Sequence, residues 1–538
     1  MKLRDFQPVD PLRSFVLLAL LLPAVWCGAQ TPEPAQFSIT GYKVLGNTLL
    51  NPKRVENITA QHVGAASDFE TIQRAVEALE QAYVNAGYGS VKVEVPEQEL
   101  ESGVVTLQVV QGKLGSVTVE ANPFYDASNL RHALPALVEG EVVNTGDLNR
   151  NLLLANETGS KVTSVTFKRA ENNQDVDVAV KVLADDPQRW LALLDNTGTP
   201  VTGQYRLGLV YQHANLFNRD HALSVQVMSS PGHWQQVSVL GLGYRIPFYE
   251  WGGALDINAS QSSVDSGRVS QAGGGPDLAI SGSGTTVGLR YTHNLDGTAD
   301  FSHKLSVGLE QRMTGNSVTL GGGASLVPDL ATRPLTLGYS GTWRDERRDL
   351  TFGATYLSNL PGGRNGNTSD YNQPGGRAGA NAQFKTLKYT LQATQRLASQ
   401  WALRLGVSGQ SSRDLLIASE QFGVGGTDSV RGFSEREIAG DQGWRLGLEV
   451  IAAPIDFEQW RFTPLMFVEA ATVSRNQPAP GEIVEQNITG AGLGLRASYA
   501  RQLSLRLDWG FATQGVAGTA STQTGQQRLH ASMVWLFK

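Results

Sequence analysis

Cysteine is almost absent from this sequence, and we expect the single one to be removed with an N-terminal signal peptide. The single cysteine of the 538 residues, Cys27, lies in a segment, 1–29, with the pattern of a secretory signal peptide. Basic residues precede a short apolar stretch at 15–22, and small residues follow it before Gln30, where we expect cleavage. The apolar stretch is too short for a membrane anchor. The mature chain therefore has neither disulfide bonds nor thiol chemistry.

Long apolar runs and an excess of basic charge are also missing. Beyond the signal segment, no run reaches the ~20 apolar residues that a membrane-spanning helix needs. The formal net charge is −6 and the pI is about 5.8. This balance argues against a nucleic-acid partner, since such proteins carry a basic footprint.

Catalytic motifs are a third absence. The sequence contains no G-x-x-x-x-G-K-[ST], H-E-x-x-H or G-x-S-x-G pattern, and its eight histidines form no ligand-spaced pair. We therefore expect no catalytic residue, no metal site and no cofactor, and we do not predict an enzyme. Calcium in the Asp- and Asn-containing loops stays open, although no specific pattern supports it.

Two similar units occupy the first part of the mature chain, after a short N-terminal segment at 30–36. The first unit, 37–112, has a strand at 37–46, a helix that Asp68 caps and Gly87 ends, and two further strands. These strands lie at 90–95 and 103–110. The apolar face of the helix is predicted to consist of Phe69, Ile72, Val76, Leu79 and Tyr83.

The second unit, 113–186, repeats this order. We predict a strand at 114–120, helices at 128–137 and 147–157, and a hairpin of strands at 162–169 and 176–183. Two β-α-α-β-β modules in series are an internal repeat. Because they contain no cluster of candidate catalytic groups, binding is their expected role, with catalysis as the alternative.

From residue 187 onward, helical periodicity gives way to alternation of apolar and polar residues. In 503–510, leucines and a tryptophan alternate with Ser, Arg, Asp and Gly, and 493–499 and 529–537 behave similarly. A soluble sandwich would also alternate, burying its apolar faces between two sheets. Arginines repeated on the polar face favour a membrane barrel, because a wet lumen solvates them and a sandwich core does not.

The connections between these segments support the barrel. We count about sixteen alternating segments between residues 188 and 537. Short connections lie at 214–220, 247–251, 344–347, 397–400 and 500–502, and long ones lie at 263–281, 314–333, 359–379, 412–440 and 476–487. Outer-membrane barrels have short periplasmic turns and long extracellular loops. We therefore predict a 16-stranded antiparallel barrel over 187–538, with both modules on the periplasmic side.

The stretch Val430-Arg431-Gly432-Phe433 lies in the long glycine-rich loop 412–440. Arg431 follows an apolar residue and precedes a glycine and an aromatic residue. In a loop of such a barrel, this pattern suggests a charged side chain that folds into the pore. The alternative is a surface loop with an incidental arginine.

Taken together, these features resemble the two-partner secretion transporters, the TpsB family of FhaC, ShlB and HecB type haemolysin secretion/activation proteins. The starts and ends of the first module (Phe37-Ser38-Ile39, Val44-Leu45-Gly46-Asn47-Thr48 and Tyr83-Val84-Asn85-Ala86-Gly87-Tyr88) resemble a polypeptide-transport-associated (POTRA) module. Gly425 to Phe433 resembles the family's long-loop motif. The resemblance implies two POTRA modules, 37–112 and 113–186, followed by the barrel.

The resemblance also implies a partner for Arg431. In the family the loop arginine pairs with an acidic residue of an F-x-D motif on the inner wall. Here Phe467-Val468-Glu469 stands in that place, with Glu instead of Asp, so Phe467 and Glu469 are the expected wall motif. Arg445 and Glu449 also face inward and stay open as competing partners.

The two ends of the chain depart from the family pattern. Only about seven residues would separate cleavage at Gln30 from Phe37, so we expect no plug helix in the pore. Relatives often end on an aromatic residue that the barrel-assembly machinery reads. Here the last aromatic residue, Phe537, is followed by Lys538. Trp535 and Phe537 are the expected assembly signal.

The resemblance implies an outer-membrane transporter that recognises an unfolded exoprotein through its POTRA modules and moves it to the cell surface without ATP. Expected partners are an exoprotein with an N-terminal secretion domain, the outer-membrane lipid bilayer, periplasmic chaperones and the barrel-assembly machinery. An assembly factor for other barrels, like BamA, is the first alternative, although such factors generally carry three or more POTRA modules. A passive porin is the second, but it would not explain the modules.

Overall fold

The computed structural model describes residues 37–99, 103–170, 175–199, 202–235, 237–263, 267–269, 278–280, 283–298, 300–315, 328–516 and 521–537. The predicted signal peptide, 1–29, and the short segment 30–36 lie outside these residues. The described residues contain no helix long and apolar enough to cross a membrane. The chain forms two compact units, residues 37–82 with 93–110, and residues 83–92 with 111–537.

The first module has the predicted β-α-α-β-β order, but its first strand is divided in two and a further short strand lies between the helices. Its elements are β1 (Phe37–Ile39), β2 (Gly41–Leu45), α1 (Pro52–Thr59), β3 (Gly64–Ser67), α2 (Phe69–Asn85), β4 (Val91–Glu94) and β5 (Val104–Gln111). The sheet order is β2-β5-β4, and β2 runs parallel to β5. Asp68 caps α2 as predicted, since its carboxylate accepts the Thr71 N–H at 2.8 Å.

One residue of the predicted apolar face of α2 is placed wrongly by the sequence pattern. Phe69 is 67% exposed, and its ring meets the edge of Phe37, with 5.2 Å between the ring centroids. Phe69 is the first residue of α2. Buried apolar residues further along α2 are Ile72, Ala75, Leu79, Ala82 and Tyr83.

The second module belongs to the same compact unit as the barrel. Its elements are β6 (Leu114–Val119), α3 (Ala127–His132), α4 (Thr145–Ala155), β7 (Lys161–Arg169) and β8 (Val176–Ala184). The sheet order is β6-β8-β7, with β6 parallel and β7 antiparallel to β8. The first helix ends five residues earlier than predicted, because the chain turns at Leu134 and Leu137 to bury both against the sheet.

The remaining chain closes into an antiparallel barrel of sixteen wall strands. These are β9 (Gln188–Asp195), β10 (Arg206–Leu216), β11 (His221–Ser229), β12 (Ser238–Phe248), β13 (Gly253–Ser262), β16 (Ser283–Asn294), β17 (Phe301–Gly315), β19 (Pro334–Arg344), β20 (Arg348–Asn359), β21 (Lys385–Arg396), β22 (Ala402–Ser411), β25 (Gln442–Ile451), β27 (Trp460–Ser474), β28 (Glu485–Tyr499), β29 (Leu503–Gln514) and β30 (Gln527–Leu536). The last strand pairs with the first, which closes the ring.

Short elements extend the wall or lie in its long loops. They are β14 (Gly267–Val269), β15 (Leu278–Ile280), β18 (Leu330–Thr332), α5 (Thr368–Tyr371), β23 (Phe422–Val424), β24 (Ile438–Gly440) and β26 (Ile455–Phe457). β18 lengthens the wall beside the end of β17, and β26 does so beside the start of β27.

The predicted alternation of the wall strands is present in the structure. On β29, Leu507 is 41% and Trp509 47% exposed on the outer face, while Asp508 between them is fully buried on the inner face. Apolar side chains outside and polar ones inside are the arrangement of a membrane barrel with a wet lumen. Parts of two predicted long loops, 263–281 and 314–333, lie outside the described residues.

Candidate functional site: the pore loop

The loop 412–440 enters the lumen of the barrel. Its strands β23 and β24 pair as a hairpin, and the segment between them carries Val430-Arg431-Gly432-Phe433. Val430 and Phe433 have no exposed surface. They pack in one apolar cluster with residues of the hairpin, of the inner wall and of the following loops: Val424, Ile438, Ala471, Val473, Ile488, Ala512 and Val516. The tip of the loop is therefore packed against the inside of the barrel.

Glycine at three positions lets the loop tip approach the wall. Gly432 has a φ of +98°, a backbone conformation that favours glycine. On the wall, a Cβ at Gly510 would overlap the backbone nitrogen of Gly432, and a Cβ at Gly490 would overlap the carbonyl oxygen of Arg431. The loop tip thus packs directly against Gly490 and Gly510 of the wall. The sequence patterns did not predict this contact.

Arg431 is 1% exposed and binds the wall carboxylate that the sequence motif suggested. Its Nη2 donates to Glu469 Oε1 at 2.8 Å, and its Nε lies 3.2 Å from both Glu469 oxygens. The backbone N–H of Arg431 donates to Glu469 Oε2 at 2.7 Å. Glu469 therefore holds both the guanidinium and the main chain of Arg431.

Two further carboxylates and an aromatic ring complete the surroundings of Arg431. Nη2 also donates to Glu449 at 2.7 Å, and Nη1 donates to Asp508 at 3.2 Å. The guanidinium carbon lies 3.4 Å from the centroid of the Phe467 ring, a cation–π contact. The wall motif Phe467 and Glu469 thus acts from one strand face, since Val468 between them is 61% exposed on the outside.

Each of these wall carboxylates also binds an arginine of the wall. Glu469 accepts from Arg445 at 3.2 Å, and Glu449 accepts from Arg404 at 3.1 Å. Asp508 accepts from Arg496 at 2.8 Å and from Arg506 at 2.7 Å. Arg445 and Glu449, left open by the sequence, are thus members of one network rather than rivals for Arg431.

His530 is a contact that the sequence did not indicate. Its Nε2 accepts the backbone N–H of Gly432 at 3.1 Å, and its Nδ1 lies 3.1 Å from the Thr427 hydroxyl. Because Nε2 is an acceptor, the ring is neutral in this arrangement. The alternation of apolar and polar residues along β30 indicates that the His530 side chain faces the lumen. It does not indicate which residue His530 contacts.

A second buried charge lies at the periplasmic junction between the second module and the barrel. Lys161 of β7 is 2% exposed, and its Nζ lies 2.7 Å from both oxygens of Asp220, in the turn after β10. Tyr249, in the turn after β12, donates to Asp220 at 2.7 Å. Burial lowers the pKa of Lys161, and the charge of Asp220 opposes that shift.

Polar contacts surround this pair and join the module to two periplasmic turns and to the wall. Asn151 of α4 donates to the Tyr249 carbonyl at 2.8 Å. Glu157 binds Arg245 on the wall, and Arg245 in turn binds Asp256 at 2.8 Å. The second module is therefore held to the barrel by buried hydrogen bonds and ion pairs.

The predicted assembly-signal residues are exposed at the end of the last strand, Trp535 within it and Phe537 just after it. Trp535 is 48% and Phe537 46% exposed, and their ring centroids are 5.4 Å apart. The Phe537 N–H donates to the carbonyl of Trp190 at 3.1 Å, across the seam with the first strand. Within the described residues, no group of three His, Cys, Asp or Glu side chains is placed to hold a metal ion.

Comparison with known proteins supports this architecture. Residues 37–112 match the POTRA domain, ShlB-type, and residues 174–497 match the haemolysin secretion/activation protein family ShlB/FhaC/HecB. The chain is 24% identical over 422 residues to the outer membrane transporter CdiB of Dickeya dadantii (strain 3937), covering 76% of this chain and 71% of the relative. It is 22% identical over 432 residues to the heme/hemopexin transporter protein HuxB of Haemophilus influenzae, covering 77% and 72%.

Two solved structures share the fold. CdiB from Escherichia coli matches with a TM-score of 0.76 at 18% identity, over 96% of this chain and 93% of that one. CdiB from Acinetobacter baumannii matches with a TM-score of 0.71 at 16% identity, over 94% and 91%. Because the family match spans more than half of the 538 residues, the chain belongs to the ShlB/FhaC/HecB family of two-partner secretion transporters, outer-membrane barrels with POTRA domains in the periplasm.

Proposed function

We propose that this protein exports an unfolded exoprotein from the periplasm to the cell surface, and that the loop 412–440 closes the lumen until the exoprotein engages. The observation that carries the proposal is the burial of Arg431 among Glu449, Glu469 and Asp508 inside the barrel. A charge bound to the inner wall in this way is suited to hold a gate closed. The proposal assigns no catalytic residue and no cofactor.

The wall arginines support movement of the loop tip. When Arg431 leaves, Glu469 keeps Arg445, Glu449 keeps Arg404, and Asp508 keeps Arg496 and Arg506. No carboxylate is then buried without a cation, which is the costly outcome of breaking a buried ion pair. The wall therefore stays charge-paired when the tip withdraws. No nucleotide is needed, and folding of the exoprotein at the surface would supply the pull.

The exoprotein would first bind the POTRA modules by adding a strand to a sheet. β7 is the candidate edge in the second module, because it pairs with β8 on one side and ends the sheet order β6-β8-β7. Val162 and Phe167 on β7 are 59% and 45% exposed and offer apolar contacts on its two faces. The same edge adjoins Lys161, so a segment bound there would lie beside the barrel junction.

A charge introduced on this edge tests the binding step, because charged edge residues block strand addition. We expect Thr166→Lys on β7 to reduce crosslinking of the exoprotein's N-terminal secretion domain to the POTRA modules. The matched control is Thr118→Lys on β6, at the opposite edge of the same sheet. Equal crosslinking by both variants and the wild type would remove β7 from the proposal.

Biogenesis would involve the other expected partners. Periplasmic chaperones would deliver the unfolded barrel, and the assembly machinery would read Trp535 and Phe537 on the last strand. The lipid bilayer would then contact the outer face of the wall. Replacement of Phe537 by Ser should lower the amount of barrel inserted, whereas the same change at Phe433 should not.

The central test combines deletion and substitution in the native cell. Deletion of the gene should remove one or a few large exoproteins from the surface and leave other outer-membrane barrels unchanged. Arg431→Ala should sharply reduce export while the barrel stays inserted. Loss of many barrel proteins after deletion would instead indicate an assembly factor, and normal export by the Arg431 variant would exclude the gate.

A further inference from the structure

A second carboxylate-arginine contact holds the pore loop, eleven positions before Arg431. Glu420 ends a helical turn, Ala418–Glu420, and is 3% exposed. Its two carboxylate oxygens accept hydrogen bonds from Arg312 Nη1 at 3.0 and 3.1 Å, and Oε1 also accepts the Thr332 hydroxyl at 3.0 Å. Gln410 donates to the Glu420 carbonyl at 3.0 Å. Both the side chain and the main chain of Glu420 are therefore fixed.

The wall around Glu420 carries an excess of positive charge. Arg312 also binds Glu310 at 2.6 Å, and Arg290 binds Glu310 at 3.2 Å. Lys388 interacts electrostatically with both Glu310 and Glu420. Three cations of the wall thus surround Glu310, and the loop supplies Glu420 as a second acid beside Arg312 and Lys388. Without Glu420, Arg312 would keep Glu310 as its one ion-pair partner among the described residues.

The two contacts of the loop lie on different sides of the ring. Counting β9 as the first wall strand, Arg312 lies on the seventh, whereas Glu449, Glu469 and Asp508 lie on the twelfth, thirteenth and fifteenth. In a ring of sixteen, Asp508 is eight strands from Arg312, which is the opposite side. The Glu420 carbonyl is bound to Gln410 on the eleventh strand, and its side chain reaches Arg312 on the seventh. Through their side chains, Glu420 and Arg431 therefore connect opposite sides of the inner wall.

The signs of charge at the two contacts are reversed. Glu420 meets the basic part of the wall around Arg312, and Arg431 meets the acidic part around Glu469. A loop with a negative charge at one contact and a positive charge at the other matches the wall in one orientation only. Like charges would face each other in the reverse orientation, at an energetic cost.

The base of the loop beside Glu420 has an apolar cluster of its own. Leu416 and Ile417 lie in an apolar cluster with residues of the 359–384 loop, including Tyr371 and Phe384. The Leu416 N–H donates to Asp441 at 2.9 Å, and Asp441 also binds Arg377 at 2.7 Å. The base is therefore attached to a neighbouring extracellular loop as well as to the wall.

We propose that Glu420 is a second positioning residue of the pore loop, a fixed hinge point on the Arg312 side from which the Arg431 tip swings. This inference rests on the proposed gate, and it identifies the point at which the gate is attached to the wall. Export would break the Arg431 contacts and keep the Glu420 contact. Glu420 sets the position from which the tip closes the lumen.

Single-channel recording of the purified full-length protein in planar bilayers tests this role. We expect Glu420→Gln to raise the fraction of time in the high-conductance state about tenfold, since a charged hydrogen bond is lost and tenfold corresponds to about 1.4 kcal/mol. The exchange Glu420→Arg with Arg312→Glu should return the fraction toward the wild-type value. Heat-modifiable mobility in detergent gels checks that each barrel is folded.

The matched control is Glu482→Gln, which removes a Glu–Arg pair of an exposed loop and should leave conductance unchanged. If Arg431→Ala raises the open fraction and Glu420→Gln does not, the hinge is overturned and the gate stands. If neither variant changes it, the gate itself is overturned. Failure of the charge exchange to restore closure, with the barrel folded, would also contradict the pairing of Glu420 with Arg312.

Discussion

Lys161 at the periplasmic junction and Arg431 at the loop tip are both buried cations, 2% and 1% exposed, yet they are partnered in opposite ways. Lys161 has one carboxylate, Asp220, and among the residues that the structure describes Asp220 has no other cationic partner. Arg431 shares three carboxylates with four wall arginines. Loss of Lys161 isolates a buried acid, whereas loss of Arg431 leaves every acid paired.

This difference separates a permanent joint from a releasable contact. The cost of breaking a buried ion pair arises chiefly from the charge that is left behind. An ion pair that must break during export therefore costs less to break when its carboxylate has a second cation nearby. An ion pair that must persist is more secure when its carboxylate has no such second cation. The comparison can be tested by measuring how much each substitution lowers the free energy of unfolding.

The largest effect is expected at the junction. Lys161→Met should lower the free energy of unfolding by about 3–5 kcal/mol, because Asp220 is left as an unpaired buried charge. Denaturant unfolding of the purified protein, followed by tryptophan fluorescence, measures this. The double variant Lys161→Met with Asp220→Asn removes both charges and should recover much of the loss. A single variant as stable as the wild type would show that the joint is not held by this pair.

A smaller effect is expected at the loop tip. Arg431→Ala should cost about 1–2 kcal/mol, mainly from its own charged hydrogen bonds, since each wall acid keeps a partner. The same unfolding measurement applies, and Arg431→Lys serves as the control that retains the charge but not the planar fork. A loss equal to that of Lys161→Met would contradict the difference between the two sites.

Arg445 and Arg431 both bind Glu469, so the interaction free energy between them can be measured with a double-mutant cycle. Arg445→Gln alone should cost little while Arg431 is present. Combined with Arg431→Ala, it should cost about 1 kcal/mol more than the sum of the single changes, because Glu469 then loses both of its arginines. Strict additivity in this double-mutant cycle would show that Arg445 does not replace Arg431.

The smallest effect is expected at an exposed pair of the second module. Arg131 and Glu139 are 3.1 Å apart, with side chains 46% and 51% exposed. Glu139→Gln should change the free energy of unfolding by about 0.5 kcal/mol or less, as exposed ion pairs usually do. A loss of unfolding free energy as large as that of Arg431→Ala would mean that burial does not determine how much each ion pair contributes to stability.

Local patterns predicted the elements well where one rule acted alone. Alternation identified the wall strands, and Asp68 marked the start of α2, because strand period and helix capping depend on neighbouring residues. Phe69 was misplaced because helical periodicity does not show whether the first residue of a helix is covered by other parts of the module; Phe69 is 67% exposed. α3 was predicted too long because the apolar residues after His132 are buried from a turn rather than from a helix.

The candidate site was predicted in part. The motif resemblance pointed to Arg431, Phe467 and Glu469, and inward alternation raised Arg445 and Glu449. Asp508, His530 and Glu420 were not singled out, although each is polar and each now contacts the loop or belongs to it. Their partners lie 77, 98 and 108 positions away in sequence, where no local pattern operates.

The sequence by itself determined the order of modules and barrel, the face on which each wall residue lies, and the motif that marks the loop. These follow from short-range rules of period, capping and composition. Only the tertiary structure decided which charges meet, because closing the barrel brings β17, β27 and β29 around one lumen and places a single loop between them. Whether a buried charge acts as a joint or a releasable contact depends on those partners, and therefore on the closed ring.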